Sequence, residues 1–240
     1  MIAAIMQPYF FPYMGYFQLM KAVDLFVLYD DAQYMKGGWI NRNRILAHGN
    51  PSWLTLPVRR ESVTLPINRR HFQSVEDGSC SIKNRLRSSY LRAPYFPNVF
   101  PFLCELLDAQ APDVAQFNAH LLKGVAAWLG ISCKFLDSST LDIGSDSRGQ
   151  ARVLAICHRV GATRYVNAMG GSSLYSSSAF NAAGLDLYFL KSNTPDYAQF
   201  SQPHVPSLSI IDVMMFNSQQ QCRELTTEYE LVSASADDQS

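Results

Sequence analysis

The opening stretch constrains the fold more than any other. Ile2-Ala3-Ala4-Ile5-Met6 is a short, unbroken apolar run. It stops at Gln7-Pro8 because proline has no N–H to give a sheet ladder. A buried strand is predicted. Tyr9 to Gly15 is an aromatic loop punctuated by Pro12 and Gly15, and Tyr16 to Ala22 places apolar residues at helical spacing. Asp24-Leu25-Phe26-Val27-Leu28-Tyr29 then reads as a second buried strand, ending at Asp30-Asp31. Strand, loop, helix and strand within about 30 residues form a βαβ unit with parallel strands and a right-handed connection. The class that follows is α/β: a mostly parallel sheet flanked by helices, with a small β-hairpin element and a helical insertion.

The rest of the chain fits that class. Ile45-Leu46 and Trp53 to Val58, separated by His48-Gly49-Asn50-Pro51, predict the hairpin. Ser79 to Leu91 is a helix, Pro94, Pro97 and Pro101 break the chain, and Phe102 to Gln110 resumes a helical pattern. Asp113 caps a helix that ends at Gly130. An α/β rhythm follows: strand Ser132 to Leu136, helix Arg148 to Val160 closed by Gly161, strand Arg164 to Asn167, a Gly170-Gly171 loop, helix Ala179 to Ala183, strand Leu185 to Leu190 and helix Leu208 to Phe216. The 240 residues suit one domain, spanning 1–217. The Ser-, Gln-, Asp- and Glu-rich remainder, 218–240, reads as a disordered tail.

Charge narrows the ligand class. Net charge is zero, but residues 1–92 carry twelve Lys/Arg against six Asp/Glu, and residues 93–240 carry eight against fourteen. A basic first part attracts anions, while the acidic remainder argues against nucleic acid or a membrane surface as partner. The expected ligand is a nucleotide-linked sugar or other phosphorylated small molecule. No run approaches the length of a membrane span and no secretory leader opens the chain, so a cytoplasmic protein is expected. The five widely spaced cysteines make no CxxC pair and read as reduced thiols. No metal-ligand cluster appears, and no cofactor is named by these residues; Mg2+ enters only if ATP or a nucleotide diphosphate is bound.

Parallel sheets bind ligands beyond the carboxyl ends of their strands. That rule selects Gln7, Tyr9 and Gly15 after the first strand, Asp30, Asp31 and Gln33 after the second, and Asn167, Gly170 and Gly171 after a later one. Asp30 and Asp31 are the candidate catalytic groups, as a base or a partner to a sugar hydroxyl. Being adjacent, they are expected to point to opposite faces if the chain is extended. A solvated strand end is the plainer alternative. Lys36, Asn41, Arg42, Asn43 and Arg44 form the most suggestive segment. Arg42 and Arg44 share a strand face and can clamp phosphate bidentately, with the asparagines facing the other way.

Met6 to Phe17, Asp30-Asp31-Ala32-Gln33-Tyr34, Asn41-Arg42-Asn43-Arg44, Tyr165-Val166-Asn167 with Gly170-Gly171, Phe180 to Leu190, and Leu208 to Asn217 together resemble the WbqC family of bacterial proteins. The resemblance covers roughly residues 1–217. It implies a component of O-antigen or related surface-glycan assembly, and an acyl or aminoacyl (glycyl-type) transferase acting on a nucleotide-activated amino sugar. Arg42 and Arg44 would hold the diphosphate, Asp30 or Asp31 would serve the amine, and Gln7 would orient the acceptor. Two alternatives stand beside it. One is an ATP-dependent nucleotidyl or adenylyl transferase. The other is a non-catalytic scaffold for glycan-assembly enzymes, docking through Tyr9, Phe10, Phe11 and Tyr13. Many relatives carry His where this chain has Met6, so no base is nominated there.

Overall fold

The structure, a computed structural model, describes residues 1–144, 147–200 and 203–234. Its elements in chain order are β1 (Ile2–Met6), α1 (Met14–Lys21), β2 (Leu25–Leu28), β3 (Arg42–Ala47), β4 (Asn50–Thr55), α2 (Val75–Tyr90), α3 (Phe96–Leu107), α4 (Val114–Trp128), β5 (Lys134–Asp137), α5 (Gly149–Val160), β6 (Arg164–Ala168), α6 (Ser177–Ala182), β7 (Asp186–Ser192), α7 (Ile210–Phe216), α8 (Gln219–Leu225) and β8 (Tyr229–Ser233). A six-stranded sheet has the order β5-β2-β1-β6-β7-β8, and β3 pairs with β4 in a separate hairpin. Five strands run parallel and β8 is antiparallel to β7.

The expected βαβ unit forms, with Ala3 beside Leu25 and Met6 beside Leu28. All four β2 residues are buried, as a central strand covered on both faces requires. Ala4, Phe26, Leu28 and Val166 face a layer containing α1 to α4, α7, α8 and the hairpin. Ala3, Ile5, Val27, Tyr165 and Phe189 face the layer of α5 and α6. The 30–132 stretch between β2 and β5 supplies the hairpin and α2, α3 and α4, the expected insertion. Among the described residues no helix is long and apolar enough to cross a membrane. All five cysteines are free.

Two expectations are corrected. Pro97 and Pro101 do not break the chain: both lie within α3. Pro97 occupies the first turn, where no N–H is needed, and Pro101 forfeits only the bond to the carbonyl four residues back. Residues 218–234 are not a disordered tail. Ser218 and Gln221 form a reciprocal capping box that starts α8, and β8 closes the sheet edge through Phe189↔Val232 and its neighbours. Residues 235–240 lie outside the described part.

The path of the chain sets the position of the candidate site. From β1 it winds outward through β2 to β5, then returns to the other side of β1 as β6 and β7. β1 and β6 pair only at Ile2↔Arg164 and Ala3↔Tyr165, and the two windings part there, the kind of point at which open α/β sheets form a ligand crevice.

Candidate functional site

The loop leaving β1 is held by buried polar side chains. Asn43 donates through Nδ2 to the carbonyls of Phe10 (3.2 Å) and Phe11 (2.9 Å), and Ser209 donates to Phe11 (2.7 Å). Asn118 donates to the carbonyls of Pro8 (2.7 Å) and Ile40 (2.6 Å), while the Tyr16 hydroxyl holds the Gln7 carbonyl at 2.7 Å. Phe11 has φ +40°, a strained conformation that this scaffold imposes. Phe10 and Phe11 are core residues, 0% and 1% exposed. The aromatic docking patch expected of a scaffold is therefore absent: of its four aromatics, Tyr13 alone is exposed. The Tyr13 ring lies over Gly15, where an added Cβ would come within 2.5 Å of it.

Where the windings part stand Gln7, just past β1, and Asn167, the penultimate residue of β6. Gln7 is half-buried, and Asn167 is 6% exposed with Oδ1 accepting from the Ala168 N–H at 2.8 Å. Gly171 passes so close to Asn167 that a Cβ there would lie 2.8 Å from Nδ2. A side chain at 171 would displace that amide. Gly170 and Gly171 belong to a 3-10 turn, Met169–Leu174. Tyr9 lies against Tyr16, ring centroids 5.6 Å apart.

Asp30 and Asp31 lie in a turn rather than an extended strand, so they converge instead of pointing apart. The Ser138 hydroxyl reaches both, 3.0 Å from Asp30 and 2.5 Å from Asp31. Asp30 also accepts from the Ser139 N–H (2.9 Å), the Ser139 hydroxyl (2.5 Å) and Asn68 (3.1 Å). A carboxylate has about four lone-pair positions, and at Asp30 all four are approached by protein donors. Asp31 pairs with Arg152 and, among the described residues, is otherwise approached only by Ser138. It keeps acceptor capacity for a ligand.

A cavity of about 240 Å³ opens beyond β2 and β5, lined by Asp30, Asn68, Asp113, Gln116, Asp137 and Ser139 among others. Burial lifts the carboxyls of Asp113 and Asp137 above their ordinary value, and the neighbouring Asp30 charge adds to the lift. A second cavity of about 250 Å³ shares Asp113 and is lined by Arg59, His71 and Ser74. Among the described residues no group of three His, Cys, Asp or Glu could hold a metal ion.

The remaining candidates sit beside the hairpin. Asn41 receives the Tyr34 hydroxyl at 2.8 Å and donates to the Leu56 carbonyl at 2.9 Å. Arg42 and Arg44 do face away from buried Asn41 and Asn43. Arg42 donates to the carbonyls of Gly37 and Gly38, and Gln33 donates to the Val63 carbonyl at 3.1 Å. Lys36 is exposed. The structure thus gathers Gln7, Tyr9, Asn167, Gly170 and Gly171 at strand ends, Asp30 and Asp31 one strand further, and the Lys36 to Arg44 set on another element. Arg152, Ser138, Asp113 and Asp137 were not selected from sequence. Only Asp113 carried a local signal, as a helix cap.

A family model described as the WbqC-like protein family matches residues 7–224. The uncharacterized protein Rv1507c of Mycobacterium tuberculosis is 30% identical over 219 residues, which cover 89% of this chain and 92% of that one. No solved structure matches the chain.

Proposed function

Because the chain belongs to the WbqC-like protein family, which points to a glycan-related role, we propose that it is an acyl or aminoacyl transferase acting on a nucleotide-activated amino sugar in bacterial surface-polysaccharide assembly. The observation that carries this reading is the divergence of the windings between β1 and β6, with Gln7 and Asn167 at its edge. Open α/β sheets take nucleotides at such a point. Asp31 is the base, since it alone of the aspartate pair keeps acceptor capacity. Arg152 and Ser138 are positioning residues that fix its carboxylate, and Asp30 holds the Ser138–Ser139 turn in place.

The step balances without a redox partner. The sugar amine's lone pair forms a bond to the acyl carbon of an activated donor, Asp31 takes the amine proton, and the donor's leaving group departs with the electrons of the broken bond. Gln7 and Asn167 orient the acceptor.

The test is a thermal-shift screen with a nucleotide-linked amino sugar, the same nucleotide carrying the hydroxyl sugar, free nucleotide, and ATP with Mg2+. A ligand at 100 times its dissociation constant stabilises the fold by about 2.7 kcal/mol. A shift largest with the amino sugar supports the reading. A shift with ATP and Mg2+ alone replaces it with adenylyl transfer.

A further inference from the structure

We propose that the outer face of the β3–β4 hairpin is a docking platform for an anionic saccharide, distinct from the crevice between β1 and β6. The register sets Arg44 opposite Trp53 and Arg42 opposite Thr55, so Arg42, Arg44 and Trp53 share one face. Trp39, three residues before β3, closes against Trp53 with ring centroids 5.5 Å apart and planes at 39°. The Arg42 guanidinium lies 4.1 Å from the Trp53 ring centroid, and that of Arg44 lies 6.0 Å from Trp39. Both indoles remain open, Trp39 at 38% and Trp53 at 46% exposure. Two adjacent, partly exposed indoles rimmed by charge offer a contact surface for a ligand.

The cations are positioned by the fold but left without an anionic partner. Among the described residues Arg42, Arg44 and nearby Lys36 make no ion pair, while other arginines such as Arg70 and Arg152 do. Arg42 is steered by the carbonyls of Gly37 and Gly38, and Gly37 turns with φ +81° to present one of them. Arg44 reaches the Ser207 carbonyl at 3.4 Å, and its Nε is buried without an acceptor among the described residues. Guanidinium forks held by backbone carbonyls have little rotamer freedom left to lose on binding.

The shape favours a sugar over a base. Two indoles tilted at 39° make an open shelf, not a slot between parallel planes. A pyranose can lay its C–H face on such a shelf while its carboxylate or phosphate meets the forks bidentately. A planar base would be covered on one side only. The platform does not depend on the transfer reaction.

The chain has three tryptophans, two on this face, and Trp128 is packed on Phe102, so tryptophan emission reports the platform. Purified full-length protein is titrated with a uronic-acid trisaccharide, glucose 1-phosphate, neutral maltotriose and uridine monophosphate. The expected result is a fluorescence change with the uronate or the sugar phosphate, and comparison of these two arms identifies carboxylate or phosphate as the anion. Binding should weaken about tenfold or more in Trp53→Ala and in Arg44→Gln, and should be unchanged in the crevice variant Gln7→Ala. Silence with both anionic sugars overturns the proposal, as does uridine monophosphate binding as tightly as the sugar phosphate. Equal weakening in Gln7→Ala would also overturn it, by removing the distinction between the two sites. Failure of the transferase reading is seen separately, in the nucleotide-sugar screen.

Discussion

Replacing Asp30 by alanine separates the fold from the chemistry at the strand ends. Asp30 is 7% exposed and gathers the Ser139 N–H, the Ser139 hydroxyl and the Asn68 amide, with Ser138 shared with Asp31. In the Asp30→Ala protein Ser138 can turn fully to Asp31, but three donors lose their acceptor. At about 1 kcal/mol for each partly buried group, the cost is about 3 kcal/mol. For a chain of this size that lowers the melting temperature by about 6–12 °C. Asp31→Asn removes one ion pair and leaves the Ser139 turn intact, so it should cost less than half as much, while the proposed transfer should be lost. Urea unfolding followed by far-UV circular dichroism measures both proteins. An Asp30→Ala cost within about 0.5 kcal/mol, the level of an ordinary surface change, would refute the anchoring role and with it the division of labour between the two carboxylates.

Burial pushes the thiols of Cys157 and Cys222 up to about 12, so at pH 8 neither should react with a disulfide reagent until the protein unfolds, whereas exposed Cys80 should react at once; timed labelling with mass spectrometry checks this. Asp212 is 0% exposed, and burial lifts its carboxyl above the ordinary 3.8 against the hydrogen bonds from Tyr197, Tyr90 and Gln199. The folded protein therefore retains a proton that the unfolded chain has already released, and the contribution of this group to stability falls as pH rises from about 4 through the raised value. The stability difference between wild type and Asp212→Asn, measured by urea unfolding at stepped pH, should shrink or reverse in that direction; a difference that grows with pH contradicts the assignment.

Local chemistry made part of the fold readable. His48 and Gly49 both take positive φ, as a tight hairpin turn requires, and Gly161 closes α5 at φ +68°. Asp113 caps α4 through the Gln116 N–H, as its spacing implies. What failed depended on neighbours far along the chain. The 218–234 stretch is polar, but its strand is bought into order by pairing with β7, which no local pattern records. Asp30 and Asp31 converge because Ser138, over a hundred residues away, sits between them. The buried roles of Asn43 and Asn118 are equally silent in sequence. Both hold backbone carbonyls of the β1–α1 loop, and asparagine there looks like any loop residue until the loop is folded against it. The strand-end candidates were legible because topology alone places them; Arg152 was not, because its pairing with Asp31 spans 121 positions.

The proposed transfer requires a nucleotide-linked amino sugar to bind in the crevice between β1 and β6. Isothermal calorimetry of the full-length protein with such a sugar measures this, in wild type and in Gln7→Ala, whose half-buried side chain can be removed with little effect on the fold. One site per chain is predicted, with affinity reduced about tenfold in the variant, the loss expected for one hydrogen bond at a ligand. Absence of binding, or equal affinity in both proteins, would contradict the account.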